Sequence, residues 1–214
     1  MPFDLSWSHN SHYHPLLLRH VPVGAVRALD VGCGSGRFAR RLARHVDQVD
    51  AFDASAEMVA TARERTPPRL AIHYSVAGLA RFVPDPHGYD FIAAIASIHH
   101  MPLAESTARL RSMLAPGGVL AVCGLYRSNG IGDTAASVAA LIPQWTTGAG
   151  LAVGRAVSGV VDPDRAGGPA MPVLDPETTL PRVRAVAAAH LPGARVRRLL
   201  FWRYLLTYRA PRSA

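Results

Sequence analysis

The stretch that most constrains this chain is Ala28-Leu29-Asp30-Val31-Gly32-Cys33-Gly34-Ser35-Gly36-Arg37-Phe38-Ala39. The apolar run from Val26 to Val31 reads as a buried strand. Glycines then follow at alternate positions, and Arg37 to His45 opens a helix with Phe38, Leu42 and Val46 at helical spacing. Strand, glycine turn and helix in this order make a ligand cradle. The glycines let the backbone bend sharply and let a ligand approach without meeting Cβ atoms. The helix start offers unpaired N–H groups and the positive end of a dipole to an anionic group. The dinucleotide fingerprint G-x-G-x-x-G is not met, because the third glycine comes one residue early and Arg37 follows it.

Asp30 before the first glycine gives Asp-x-Gly-x-Gly-x-Gly, and Leu-Asp-Val-Gly-Cys-Gly-Ser-Gly resembles the first motif of the class I S-adenosylmethionine-dependent methyltransferases. A second phrase, Phe52-Asp53-Ala54-Ser55-Ala56-Glu57-Met58, looks like that family's second motif, and Leu114-Ala115-Pro116-Gly117-Gly118-Val119-Leu120 is another phrase of the family's type. The resemblance runs from about residue 5 to 210, and its specific part is the first motif with Asp53. It implies an α/β, Rossmann-like fold: a seven-stranded, mostly parallel sheet with an antiparallel C-terminal hairpin and helices on both faces. It also implies methyl transfer from S-adenosyl-L-methionine.

Composition narrows the partners. A chain of 214 residues, 49% hydrophobic and 18% charged, suits one globular domain rather than a disordered segment. The net charge is +8 and all 23 basic residues are arginine. They are scattered, with one small cluster at Arg195, Arg197 and Arg198, so no basic tail or aromatic-interleaved stripe points to nucleic acid. Anionic small molecules or lipid headgroups fit the charge equally well. Cys33 and Cys123 make no disulfide framework and read as small apolar fillers. Met1 to Asp4 shows no signal-peptide pattern and no apolar run reaches the ~18–20 residues of a membrane span. The expected compartment is therefore the cytoplasm, with peripheral membrane contact left open and the oligomeric state unread.

Along the chain, residues 1–24 form an expected N-terminal segment holding Trp7, His9, His12, Tyr13 and His14, with Pro15 able to open a short helix. Three close histidines invite a metal, but cysteine or carboxylate ligands at a recognisable spacing are missing, so no metal is expected. In the family resembled, such a segment commonly lies over the active site as a lid. That makes Trp7, His12, Tyr13 and His14 candidates for touching substrate, beside the plainer reading of packed surface aromatics. The second strand, Val49 to Phe52, ends at Asp53, which stands 21 residues after Gly32, where a nucleotide site places its ribose-binding acid. Asp50 falls mid-strand and is expected elsewhere. A helix from Ala56 to Arg65 precedes the third strand, Leu70 to Ser75.

After the third strand the family usually has an aspartate for the adenine amino group. This chain has Val76-Ala77-Gly78-Leu79 instead, leaving the backbone near Ala77 and Gly78 to accept that hydrogen bond. The resemblance thus implies a cofactor set of Asp30, Gly32, Cys33, Gly34, Gly36, Asp53, Ala54, Met58, Ala77 and Gly78. Met58 would pack near the adenine.

The fourth strand, Asp90 to Ala96, leads into His99 and His100. Ligands of open α/β sheets bind beyond the carboxyl ends of the strands near the switch in strand order. The pair resembles that of quinone-type and other small-molecule methyltransferases. Either histidine is a candidate proton acceptor during transfer, or a loop hydrogen-bonding group. A helix from Leu103 to Leu114 is followed by Ala115-Pro116-Gly117-Gly118 as a turn into the fifth strand, Val119 to Leu125. Tyr126 and Arg127 would border the substrate pocket. Residues 128–175 read as a variable substrate cover, with a helix from Thr134 to Leu141 capped by Asp133. A helix from Pro176 to His190, capped by Asp175, precedes β-rich runs at Arg195–Phe201 and Tyr204–Tyr208.

The expected function is methylation of an apolar or aromatic small molecule. The alternative is a protein that binds the cofactor without catalysis, or uses the same fold for interaction. A nicotinamide-dependent oxidoreductase would need the glycine spacing that this chain lacks.

Overall fold

The computed structural model describes residues 9–98, 101–127 and 177–212. Two short helices, α1 (His9–His12) and α2 (His14–Leu18), precede the sheet. Then come β1 (Arg27–Val31), α3 (Arg37–Leu42), β2 (Gln48–Asp53), α4 (Ala56–Glu64), β3 (Ile72–Val76) and β4 (Tyr89–Ile95). After them follow α5 (Leu103–Ser112), β5 (Leu114–Leu125), α6 (Leu180–His190), β6 (Arg195–Arg198) and β7 (Arg203–Arg209). The strands form one seven-stranded sheet in the order β3-β2-β1-β4-β5-β7-β6. β1 to β5 pair in parallel, and β7 runs antiparallel to both β5 and β6. The order reverses beside β1, so the turns after β1 and β4 flank the switch point at which an open α/β sheet binds its ligand.

The parallel strands are buried on both faces, and their residues alternate between two cores. Ala28, Ala51, Phe91, Ala93 and Cys123 pack with Phe38 and Leu42 of α3 and Val59 of α4. Leu29, Val31, Ile92, Leu120 and Val122 pack on the other side with Leu110 of α5 and Val183 of α6. The expected α/β sheet with helices on both faces is therefore observed.

Several boundaries differ from those expected, each for a local reason. The third helix stops at Leu42 rather than His45, because the Arg44 and His45 N–H groups donate to the carbonyls of Arg41 and Leu42, tightening its last turn. The strand expected from Val119 begins at Leu114, opposite Tyr89, and its register slips before Phe91 meets Val119. The Ala115–Gly118 turn is absorbed as an irregularity in β5, tied to the end of β7 by Gly117 N–H to Pro211 O and Ala210 N–H to Gly118 O. The sixth helix starts at Leu180 with Thr179 as N-cap, so Glu177 lies ahead of its first turn. Pro181, which donates no hydrogen bond, fits that first turn. β6 ends at Arg198, because Phe201 and Trp202 adopt φ of 58° and 53° and turn the chain instead of extending it. Asp175, Pro176 and the helix expected at Thr134–Leu141 lie outside the described residues.

The β5–β7 contact is tight enough to test. A Cβ at Gly124 would lie 2.4 Å from Cζ of Tyr204, a ring buried at 2% exposure. Gly124→Ala is expected to destabilise the protein by about 2 kcal/mol through overpacking, read as a lower urea midpoint at unchanged m-value. An unchanged midpoint would mean that the ring shifts freely.

Candidate active site

The site grows from the end of β2. The Phe52 carbonyl accepts the N–H groups of Gly32 and Cys33, both at 2.9 Å. The Asp53 carboxylate accepts two more, from Gly34 N–H through Oδ2 and from Ser55 N–H through Oδ1, each at 2.9 Å. Ser55 then caps α4 by accepting the Met58 N–H at 3.2 Å. The Asp53 carbonyl accepts Ala77 N–H at 2.9 Å, so the loop after β3 joins the same cluster. Three loops that are distant in sequence are thus pinned to two consecutive residues.

Asp30, Gly32, Cys33, Gly34, Gly36, Asp53, Ala54, Met58, Ala77 and Gly78 all lie on or beside these loops. Gly32 has φ +69° and sits over Ser97, whose Cβ would be 2.5 Å from any Cβ there. Ser97 is fixed in turn by donating to the Val31 carbonyl at 2.7 Å. Gly34 has φ +50° with nothing within 4 Å of its would-be Cβ, so its face is open to a ligand. Gly36 is the N-cap of α3. Asp50 is engaged elsewhere, accepting from the Tyr89 hydroxyl at 2.7 Å.

Three braces were invisible to sequence reasoning. Arg40 donates to the Ser35 carbonyl at 2.8 Å and holds the glycine turn from α3. Arg109 of α5 donates to the carbonyls of Leu79 and Phe82, both at 2.7 Å, and shapes the loop that contains Gly78. Phe82 stacks on Phe52 with ring centroids 4.4 Å apart. Each contact joins residues through tertiary approach, and only the position of Ser97 at the end of β4 offered a sequence signal.

The candidate acceptor residues fall at the other side of the switch point. Tyr13 is buried, and its hydroxyl donates to the Leu200 carbonyl at 2.9 Å. Burial pushes that phenol up to about 12. His12 is exposed and meets Tyr13 and Phe201 edge-on at 4.8 and 5.9 Å. Partial desolvation of its ring against those two neighbours, then the Arg203 charge, lowers its pKa. His14 is buried against Phe38 at 5.0 Å, and burial, with Arg41 and Arg37 adding to it, depresses it to about 3. It is a neutral imidazole at physiological pH. Tyr126 is buried, with its N–H on the Trp202 carbonyl at 3.0 Å, and Arg127 is exposed, with its N–H on Thr178 at 2.9 Å. Trp7, His99 and His100 lie outside the described residues. Among the described residues, no group of three or more His, Cys, Asp or Glu could hold a metal ion.

Comparison with known proteins agrees with this architecture. Residues 28–118 match the family described as a methyltransferase domain. The chain is 33% identical over 217 residues to an uncharacterized methyltransferase of Mycobacterium tuberculosis strain H37Rv, covering 97% of this chain and 99% of that protein. It is 37% identical over 110 residues to the trans-aconitate 2-methyltransferase of Variovorax paradoxus, which covers 50% of this chain and 41% of that enzyme. In fold it is similar to the N-methyltransferase NodS of Bradyrhizobium japonicum, with a TM-score of 0.58, 17% identity and coverage of 94% and 96%. The chain belongs to the class I S-adenosylmethionine-dependent methyltransferases. It is an enzyme of that class, with S-adenosyl-L-methionine as its methyl donor.

The residues present fit that donor. Oδ2 of Asp30 is buried with no hydrogen-bond partner among the described residues, and a cationic N–H donor would satisfy it. The Asp53 oxygens each keep acceptor capacity beyond the one N–H they already bind. The open face of Gly34 leaves room between them.

Asp30 gives a pH-dependent test. Its carboxyl is pushed up to about 7, mainly by burial; the Ala39 N–H opposes the shift and the Asp53 charge adds to it. The folded protein holds this proton more tightly than the unfolded chain, so Asp30 lowers stability as pH rises from 3.8 through about 7. Asp30→Asn should remove that dependence and raise the melting temperature of the cofactor-free protein above neutral pH. The same change should weaken S-adenosylhomocysteine binding about 10- to 100-fold. Parallel thermal and calorimetric titrations across pH check both, and an unchanged affinity would remove Asp30 from the cofactor site.

Proposed function

We propose that this enzyme methylates an apolar or aromatic small molecule that enters between the N-terminal helices and the carboxyl end of β5. The observation that carries the reading is the aromatic cluster under the N-terminal helices on that side. Tyr13 and Phe201 are buried there with His12 edge-on to both, while Tyr126, at the end of β5, packs in the core on the other face of the sheet. The named relatives do not select the acceptor: one is named for trans-aconitate and another for N-methylation.

In this reading Asp30 holds the ammonium of the donor's methionine portion, and the Gly32–Gly36 backbone lies along that portion. Asp53 accepts hydrogen bonds from the ribose hydroxyls, while Ala54 and Met58 border the nucleoside. The backbone at Ala77 and Gly78 meets the adenine edge, held in place by Arg109. S-adenosylmethionine, when bound, supplies a methyl group on a sulfonium that a nucleophilic atom can displace.

The protein's main task is then to hold the acceptor in line and keep water out. Residues 1–24 act as the lid and 128–175 as the variable cover. Tyr13 and His14 close the inner wall, and Trp7, His12 and Arg127 border the entrance. His14, held neutral, can accept a proton-bearing hydroxyl or amine of the acceptor as a hydrogen bond. His99 or His100 takes the proton where the acceptor must lose one.

The test is calorimetric titration with S-adenosylhomocysteine, followed by methyl-transfer assays on phenolic, aliphatic and anionic acceptors. Wild type should bind, and both Gly34→Val and Asp53→Ala should abolish binding. Where a phenolic acceptor is methylated, His99→Ala or His100→Ala should lower kcat by ~100-fold. Turnover restricted to small anionic acceptors would overturn the acceptor class. Absence of binding in the wild type would overturn the cofactor site itself.

A further inference from the structure

One edge of the molecule joins two features that methyl transfer does not use. At the end of β7 distant from the acceptor side lies a groove of about 540 Å³. Arg19 and Arg195 line it together with Val23, and no carboxylate is among the lining residues. Val23 is fully exposed, at 106% of its reference area. At the other end of the same hairpin, the β6–β7 turn exposes Leu200 and Trp202. Between them Arg197 is exposed on β6, close enough to act on both His20 and Tyr13. The 7 residues of β7 separate the two apolar ends by about 20 Å at roughly 3.3 Å per residue.

The turn is held open on purpose by the backbone. Phe201 and Trp202 occupy left-handed φ values that bulky residues rarely adopt. Two hydrogen bonds maintain it, from the Tyr13 hydroxyl to the Leu200 carbonyl and from the Tyr126 N–H to the Trp202 carbonyl. The result buries Phe201 under the N-terminal helices while turning Trp202 and Leu200 outward.

We propose that this edge docks on an anionic lipid surface. Exposed aliphatic and tryptophan side chains at both ends, with arginines between, match the interfacial chemistry of a bilayer: apolar groups enter the headgroup boundary and guanidinium groups meet lipid phosphates. Nucleic acid would use the arginines but leaves Val23 and Leu200 without a role. No helix among the described residues is long and apolar enough to cross a membrane, so the contact is peripheral. Docking here sets the β6–β7 turn, which the Tyr13 hydroxyl holds from inside, against the bilayer, and the acceptor is then a molecule that partitions into lipid. That last step rests on the methyl-transfer reading; the docking itself does not.

The full chain is tested by flotation with vesicles of phosphatidylcholine alone or mixed with phosphatidylglycerol. Binding is expected only to the mixed vesicles and should weaken with salt. The Arg195→Gln, Arg197→Gln pair should lower partitioning about 25-fold, at about fivefold per arginine. The Val23→Ser, Leu200→Ser pair should lower it about tenfold. S-adenosylhomocysteine affinity should be unchanged in both pairs, which separates loss of docking from loss of fold. Absence of binding to mixed vesicles overturns the proposal. So does partitioning indifferent to the Val23 and Leu200 changes, or RNA bound more tightly than the vesicles through the same arginines. Failure of wild type to bind S-adenosylhomocysteine would overturn the enzymatic reading and leave the vesicle result standing by itself.

Discussion

The cofactor side of this enzyme depends on the last two residues of β2. Phe52 and Asp53 accept five backbone N–H groups between them, from Gly32, Cys33, Gly34, Ser55 and Ala77. Those donors belong to turns that a parallel sheet leaves without ladder partners, and a buried turn cannot leave them unmade. One carboxylate therefore has two tasks. It closes the glycine turn against the start of α4, and it retains acceptor positions facing outward. Removing it costs the shape of the turn as well as, in the proposed reading, the ribose contact.

Asp30 shows the opposite balance. A carboxylate buried without a full set of donors is unfavourable to the folded state, and its raised pKa expresses that. Nothing in the packing of β1 calls for an acid there: Ala28, on the same face of the strand, is buried against carbon. In the proposed reading the donor's ammonium reverses that cost, so the position serves a ligand rather than the fold. Asp53 is the contrast: bonded by two N–H groups, it already serves the fold.

The sequence made the fold legible because two periodicities survive in it. Val26–Val31 and Asp90–Ala96 are near-continuous apolar runs, as strands covered on both faces must be. The helices between them carry their apolar residues at helical spacing. Elements were misplaced where tertiary bonds outweighed local preference. Gly117 and Gly118 read as a loop, yet their bonds to Pro211 and Ala210 extend β5 through them. Leu200 and Phe201 read as the end of a strand, and the demand to bury Phe201 while exposing its neighbours turned them. In the site, glycines and Asp53 were visible because backbone conformation and register dictate them. Arg40 and Arg109 were not, since an arginine that reaches a carbonyl across the fold looks like any other arginine on a helix.

The match to the methyltransferase-domain family ends at residue 118, and the likeness to the trans-aconitate enzyme spans half of this chain. That boundary has a physical meaning. The region up to residue 118 holds β1 to β4 and the three loops gathered by Phe52 and Asp53, the part that the proposed reading assigns to the donor. Outside it lie the N-terminal helices, most of β5 and the β6–β7 hairpin, which meet at Tyr13 and Phe201 on one face of the sheet. These parts are joined by a phenol on a carbonyl and by rings meeting edge-on, contacts that many side chains of similar size could make. In the proposed reading such a wall can be rebuilt for another acceptor, with His14 on Phe38 of α3 as a contact to the donor side. The limit on that freedom is the β6–β7 turn: its left-handed Phe201 and Trp202 hold the wall and the outer surface in a single conformation, so a change of acceptor there is also a change of surface.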